Sequence, residues 1–126
     1  MRILLDTHLF LWLMMGDSRL SHQAIQAIDR ASVVYFSLGS LWEIAIKFAL
    51  GKVTESPESV LREVHANGYE LLAIKPAHIF QVAKLPHLHN DPFDRLLMAQ
   101  ALEDSLTLLT ADKQLQKYSK LVMVIK

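Results

Sequence analysis

The 126-residue sequence contains no cysteine, which excludes a disulfide framework and a cysteine-ligated zinc site. No run of apolar residues approaches the roughly 20 that a membrane-spanning helix needs. The apolar N-terminal stretch contains Asp6 and His8, and no small-residue cleavage site follows it, so it does not predict a signal peptide. These absences lead us to expect a soluble, cytoplasmic protein that does not contact a membrane.

The chain also lacks an excess of either charge, because 13 Lys and Arg residues balance 13 Asp and Glu residues. This balance argues against a broad basic footprint for nucleic acid but is compatible with a local basic rim around an acidic centre. No repeat, low-complexity tract or linker interrupts the sequence. We therefore expect one globular domain spanning residues 1–126.

Short β-type runs alternate along the chain with longer helical runs. Apolar and β-branched runs predict strands at 2–5, 33–36, 70–74, 107–110 and 121–125. Capping residues and periodicity predict helices at 8–14, 21–30, 37–50, 57–67, 76–84 and 92–104, with a short helix after Asp112. This alternation indicates a mostly parallel sheet that helices cover on both faces.

Polar residues follow several of these strands directly. Asp6 follows the first strand, Ser37 the second, and Thr110 and Asp112 the fourth. In open α/β sheets the functional site lies beyond the carboxyl ends of the strands. We expect these residues to lie along one edge of the sheet.

Two readings of Asp6 stay open from its position alone. A carboxylate directly after an apolar strand is costly to bury unless it is paired or bound to a metal. Aspartate is also favoured as the N-cap of a helix, and a helix is predicted to follow it.

The helix around Glu43 is apolar except for Ser40, Glu43 and Lys47, whose spacing places them on one stripe. A helix that is apolar nearly all round is typically buried. The pattern favours a Glu43 that faces a metal cleft, with Lys47 near a substrate phosphate. The alternative is a surface ion pair between Glu43 and Lys47.

Asp94 and Asp112 each have a local explanation, because Asp91, Pro92 and Asp94 make a good helix start and Asp112 could cap a short helix. Together with Asp6 and Glu43, however, they bring carboxylates from distant parts of the chain to one sheet edge. Mg²⁺ prefers oxygen ligands, and carboxylates without His or Cys partners suit that ion. Such an ion could activate water and stabilise the leaving oxygen of a phosphodiester.

Four segments carry a resemblance to a known family and lie along nearly the whole chain. They are LLDTH at 4–8, SLWEI at 40–44 with Lys47, HNDPFDR at 89–95 with AQA at 99–101, and LTAD at 109–112. In these segments the chain resembles the PIN-domain nucleases, and in particular the VapC-type toxins of type II toxin–antitoxin systems.

The resemblance implies a three-layer α/β/α fold with a central, mostly parallel sheet of four to five strands. It implies that Asp6, Glu43, Asp94 and Asp112 are the catalytic, metal-binding residues. It implies Mg²⁺-dependent cleavage of single-stranded RNA, with Mn²⁺ able to substitute. It also implies a homodimer and a cognate antitoxin protein as a partner.

Several further residues are candidates for contacts at the site. Thr110 could hold a water or a backbone group, and Arg95 could steady the acids, meet RNA phosphate or be a solvated charge. His8 is a candidate neighbour of the metal. Lys47, Lys52 and Lys113 could form a basic rim, and His87 and His89 are expected to be loop residues rather than zinc ligands.

Residues 9–15 predict a helix with no polar face. Part of it would remain as an exposed apolar patch, which usually marks an interface with a dimer partner or an antitoxin helix. Deeper burial within the monomer is the competing explanation.

A non-catalytic RNA-binding or antitoxin-binding module is the alternative function, and failure to bind Mg²⁺ would support it. A haloacid-dehalogenase-type phosphotransferase needs a second aspartate two residues after the first, where this chain has His8. A receiver-type phosphoacceptor domain is disfavoured because no acidic pair precedes Asp6.

Overall fold

The computed structural model describes residues 1–118 and 122–124. The strands in these residues are β1 Arg2–Leu5, β2 Val33–Ser37, β3 Glu70–Leu72, β4 Thr107–Thr110 and β5 Val122–Val124. The α-helices are α1 Thr7–Met15, α2 His22–Arg30, α3 Leu38–Ala49, α4 Pro57–Ala66, α5 Pro76–Lys84 and α6 Pro92–Asp104. A 3₁₀ helix spans Lys113–Lys117.

The five strands form one parallel sheet in the order β3-β2-β1-β4-β5, with β1 at its centre. The chain winds outward from β1 to β3 on one side and then crosses to β4 and β5 on the other. The strand order therefore changes direction beside β1, and the carboxyl ends of β1 and β4 lie next to each other there. Ligands of open parallel sheets bind at such a point.

Helices cover both faces of the sheet, as the sequence predicts. Successive strand side chains point to opposite faces, so Ile3 and Leu5 of β1 enter one apolar cluster and Leu4 enters the other. The first cluster includes Phe10 of α1 and Ile44 of α3. The second is built largely on α6, whose side chains between 96 and 101 are all buried. The predicted three-layer α/β/α fold is confirmed.

The observed bounds differ from the prediction in a few places. β3 ends at Leu72 rather than at residue 74, where its pairing with β2 stops; the next carbonyl, of Ala73, accepts a hydrogen bond from Gln100 Nε2 at 3.3 Å. β2 extends through Ser37, which also caps α3. The last strand, predicted at 121–125, is observed as Val122–Val124, and residues 121 and 125 lie outside the described part of the chain.

The prediction that α3 is largely buried was wrong. Its polar stripe is the buried part, with Ser40 and Glu43 1% and 5% exposed, while Trp42 is 59% exposed. Phe48 is exposed as well, and four other exposed apolar side chains recur every four residues, the last of them just after the helix: Leu38, Trp42, Ile46 and Leu50. We call these four residues the α3 stripe.

Helix α1 is more buried than α3. Of the two explanations for its apolar sequence, burial within the monomer accounts for most of its side chains. Leu9, Phe10 and Leu11 are buried, and Trp12 is partly buried against the same core. Met15 at its end is exposed. Among residues 1–118 and 122–124, no helix combines the length and apolar character that crossing a bilayer requires.

Candidate metal centre

Asp6 combines the two roles that its position in the sequence left open. One carboxylate oxygen, Oδ1, caps α1 by accepting the His8 backbone N–H at 2.8 Å. The other, Oδ2, accepts the Thr110 hydroxyl at 2.5 Å, across the junction between β1 and β4. Asp6 is buried, and these bonds fix its orientation at the carboxyl edge of the sheet.

Thr110 and Asp112 continue this arrangement from the end of β4. The buried Thr110 hydroxyl accepts the Asp112 backbone N–H at 3.0 Å while it donates to Asp6. Asp112 Oδ1 caps the 3₁₀ helix through the Gln114 N–H at 2.9 Å. Asp112 Oδ2 accepts instead from the side chain of His89. Local capping therefore uses only one oxygen of Asp112.

Asp91 and Asp94 divide the capping and site roles between them. Asp91 Oδ1 caps α6 by accepting the backbone N–H groups of Phe93 at 2.8 Å and Asp94 at 3.2 Å. Asp94 lies in the first turn of the helix, and its Oδ2 is 3.4 Å from His89 Nε2. Asp91 alone therefore satisfies the helix start, which leaves the Asp94 carboxylate at the site.

His89 is the residue that the sequence analysis missed at this site. It lies in a loop, as predicted, but it contacts the carboxylates of both Asp94 and Asp112. Potential ligand atoms of these three residues all lie within 4.8 Å of one another. The available sequence signal was the position of His89 two residues before the cap of the helix that carries Asp94.

Glu43 is carried by α3, and its side chain is buried. The Thr7 hydroxyl donates to Ser40 Oγ at 2.7 Å and so ties α3 to α1 one turn before Glu43. Lys47 Nζ donates to Glu43 Oε2 at 3.0 Å. The expected ion pair is therefore present, but around a buried carboxylate rather than on the surface.

Two contacts bring α3 against the start of α6. The rings of Trp42 and Phe93, the sequence neighbours of Glu43 and Asp94, meet edge to face with centroids 5.2 Å apart. Nearer the start of α3, a Cβ at Gly39 would lie only 2.5 Å from Leu96 Cδ2. The absence of a side chain at residue 39 thus permits the close approach of the two helices.

The electrostatics of the site reflect this convergence. Burial, followed by the charges of Asp6, Asp91 and Glu43, raises the pKa of Asp94 from its ordinary 3.8 to about 7. Burial also opposes ionisation of Asp6, but its hydrogen bonds with His8 and Thr110 outweigh burial and lower its pKa. Asp6 is thus held as the anion, and the repulsion between the acids is expressed in the raised pKa of Asp94.

Other predicted residues lie at or away from this site. Asp6, His8 and Asp112 line a common cleft with Trp12 and Ala111. His8 Nδ1 is 3.5 Å from Asp6 Oδ1, and the bond to Asp6 raises the pKa of His8. Lys52, Lys113 and His87 are exposed, and the structure gives them no contact with the acids.

Arg95 is not among the side chains that meet at the site. It is buried rather than solvated, and its guanidinium donates to oxygens at the end of α5 and beyond. The acceptors are the carbonyls of Val82, Leu85 and Pro86 and the hydroxyl of Tyr118. These bonds tie α6 to the chain that precedes it, so we assign Arg95 a structural role.

The residues present fit a hard divalent cation. Asp6, Glu43, Asp94 and Asp112 supply carboxylate oxygens, which are the ligands that Mg²⁺ and Mn²⁺ prefer. The pKa of Asp94 is raised first by burial and then by like-charge crowding, and a bound cation would relieve that crowding.

A sequence model of the PIN domain matches residues 3–121. The chain belongs to the PIN-domain family. Over 118 residues, this PIN domain is 29% identical to Ribonuclease VapC22 of Mycobacterium tuberculosis, covering 92% of this chain and 91% of that protein.

Solved structures share the fold at lower sequence identity. VapBC2 from Rickettsia felis, bound to a DNA fragment from its promoter, superposes with a TM-score of 0.72 at 14% identity and covers 99% of this chain and 98% of that one. A toxin–antitoxin complex from Klebsiella pneumoniae gives a TM-score of 0.68 at 16% identity, with coverages of 97% and 96%. These likenesses establish a PIN fold from end to end.

Proposed function

We propose that this PIN-domain protein is a metal-dependent endoribonuclease that hydrolyses phosphodiester bonds in single-stranded RNA. The observation that carries the proposal is the hydrogen-bonded series Asp6–Thr110–Asp112–His89, with Asp94 Oδ2 3.4 Å from His89 Nε2, which brings together carboxylates from distant parts of the chain. The likeness to a relative named as a ribonuclease supports the choice of RNA.

In this proposal Asp6, Glu43, Asp94 and Asp112 hold the ion, which is Mg²⁺ with Mn²⁺ able to substitute. The bound ion would neutralise the carboxylates, lower the pKa of a water molecule and polarise the phosphate. Hydrolysis by in-line attack of water would break the bond from phosphorus to the 3′ oxygen, leaving a 5′-phosphate and a 3′-hydroxyl.

The protein's own side chains have distinct tasks in this scheme. Thr110 fixes the orientation of Asp6 through its hydroxyl. Lys47 pairs with the buried Glu43 carboxylate, and its ammonium group, which is partly exposed, is placed to meet a substrate phosphate. His8 contributes a mostly exposed ring beside Asp6 on the wall of the cleft.

We also propose that the protein is the toxin of a toxin–antitoxin pair, that it forms a homodimer and that an antitoxin protein binds it. Structural neighbours that are themselves toxin–antitoxin complexes support the antitoxin partner. The exposed α3 stripe supports a protein interface, since contiguous apolar surface of this kind usually marks one.

The test is cleavage of labelled single-stranded RNA by the purified protein in Mg²⁺ and in EDTA. Asp94→Asn is expected to abolish metal-dependent cleavage. Asp29→Asn is the matched control, because Asp29 is exposed on α2, and it should cleave normally. Failure to cleave any RNA, combined with failure to bind Mg²⁺ by calorimetry, would overturn the proposal.

A further inference from the structure

The ring of His89 lies between two of the carboxylates assigned to the ion. Its Nε2 is 3.0 Å from Asp112 Oδ2 and 3.4 Å from Asp94 Oδ2, and the side chain is only 14% exposed. A nitrogen in this position either ligates the ion or holds the residues that do. The two roles need opposite states of Nε2, since a ligand offers a lone pair and a hydrogen-bond donor carries a proton.

The backbone of Asp91 distinguishes these states. Its N–H donates to His89 Nδ1 at 3.0 Å, and a backbone N–H can act only as a donor. His89 Nδ1 must therefore be unprotonated, so the neutral ring carries its proton on Nε2. Turning the ring over would present carbon atoms to the carboxylates and leave the Asp91 amide without its acceptor.

The start of α6 keeps the Asp91 amide in place. Asp91 is the N-cap, and its carboxylate accepts the N–H groups of Phe93 and Asp94. The same residue therefore fixes the ring of His89 through its amide and the first turn of α6 through its side chain. His89, Asp91 and Asp94 are held as one unit, with Nε2–H directed at Asp112.

We propose that His89 is a positioning residue of the metal centre, whose Nε2–H holds Asp112 and Asp94 in place, and that it does not ligate the ion. The ligands are then oxygens only, a set that favours Mg²⁺ and Mn²⁺ over Zn²⁺, for which imidazole is a good ligand. This inference rests on the metal site of the proposed function, and its tests measure protonation and binding rather than cleavage.

Nitrogen NMR of the ¹⁵N-histidine-labelled protein tests the protonation state. We expect His89 to show a protonated Nε2 and an unprotonated Nδ1 without metal, with Mg²⁺ and with added Zn²⁺. A proton on Nδ1, or loss of the Nε2 proton when Zn²⁺ is added, would overturn the inference. The native protein serves for this measurement, so the result does not depend on the folding of a variant.

Calorimetric titration with Mg²⁺ tests the positioning role. His89→Ala should bind Mg²⁺ about 10- to 100-fold more weakly, the usual effect of losing a hydrogen bond to a metal ligand. His89→Gln retains an N–H donor at a similar reach and should recover most of the affinity. His87→Ala, an exposed histidine of the same loop, is the matched control and should bind like the native protein.

Equal Mg²⁺ affinity of His89→Ala and the native protein, or equal weakness of the Ala and Gln variants, would refute the positioning role. Because none of these measurements uses RNA, they separate the inference from the proposed function. If the native protein binds Mg²⁺ with a protonated Nε2 but cleaves no RNA, only the proposed function fails. If RNA is cleaved but His89→Ala keeps full Mg²⁺ affinity, only the present inference fails.

Discussion

Replacing Asp94 by Asn should stabilise the metal-free protein, although it removes a residue from the proposed metal centre. Burial and neighbouring acids raise the pKa of Asp94 from 3.8 to about 7 in the folded protein. Each pKa unit corresponds to 1.36 kcal/mol, so ionising Asp94 costs the native state up to about 4 kcal/mol. The side chain is 17% exposed, so solvent screening removes only part of that cost.

The pH window follows from the direction of this pKa change. Between about pH 4 and 7 the native state keeps the Asp94 proton while the unfolded chain has lost it, so the free energy of unfolding falls as the pH rises. Above pH 7 Asp94 is ionised in both states, so the free energy of unfolding no longer falls on its account. Asp94→Asn, which cannot ionise, should gain about 2–4 kcal/mol over the native protein near pH 8 and about a third of that near pH 5.

Urea unfolding in EDTA at both pH values measures this difference, with Asp29→Asn as the control for loss of an exposed carboxylate. Adding Mg²⁺ should offset or reverse the order of stability near pH 8, because an ion at 1,000 times its Kd stabilises a folded protein that binds it by about 4.1 kcal/mol, and the variant lacks one ligand. A native protein as stable in EDTA at pH 8 as at pH 5, or an Asp94→Asn variant without gain at pH 8, would refute the reasoning.

Three other substitutions test the elements that shape the site. Thr110→Val removes the hydroxyl that holds Asp6, and it should cost about 1–2 kcal/mol of unfolding free energy in urea titrations and weaken Mg²⁺ binding by calorimetry. Gly39→Ala should lower the free energy of unfolding by about 1–3 kcal/mol, because its Cβ would meet Leu96. Leu96→Ala should then lower the free energy of unfolding less in the Gly39→Ala variant than in the native protein. Trp42→Glu places a charge in the α3 stripe, and light scattering should show a lower mass than that of the native protein if the stripe is a dimer interface.

The residues at the sheet edge were predictable because the physics behind them is local. Asp6 and Thr110 each directly follow an apolar strand, and parallel strands bring their carboxyl ends to one edge. Asp94 was predicted mainly because Asp6 and Glu43 were also candidates, since its own position is explained by the helix start, which Asp91 alone satisfies. The pairing of β1 with β4 then brings Asp6 next to Thr110.

What could not be predicted depends on contacts between distant segments. The polar stripe of α3 predicted a Glu43 that faces a cleft, but the apolar composition of the helix does not reveal that Trp42 is exposed; the side of α3 that carries Ser40 is bonded to Thr7 of α1 instead. Similarly, Arg95 is occupied by carbonyls of a segment about ten residues earlier. His89 gains its role from a backbone amide, which a sequence pattern does not display.

The bond between Asp6 and Thr110 joins residues 104 positions apart, and it has a consequence for synthesis of the chain. Asp6 leaves the ribosome 104 residues before Thr110, and β1 can pair with β2 before β4 has been made. The other side of β1 stays without its strand until residue 110 has emerged. A nascent or truncated chain that ends before β4 therefore has an incomplete centre, so the arrangement delays assembly of the candidate metal centre until β4 has been made.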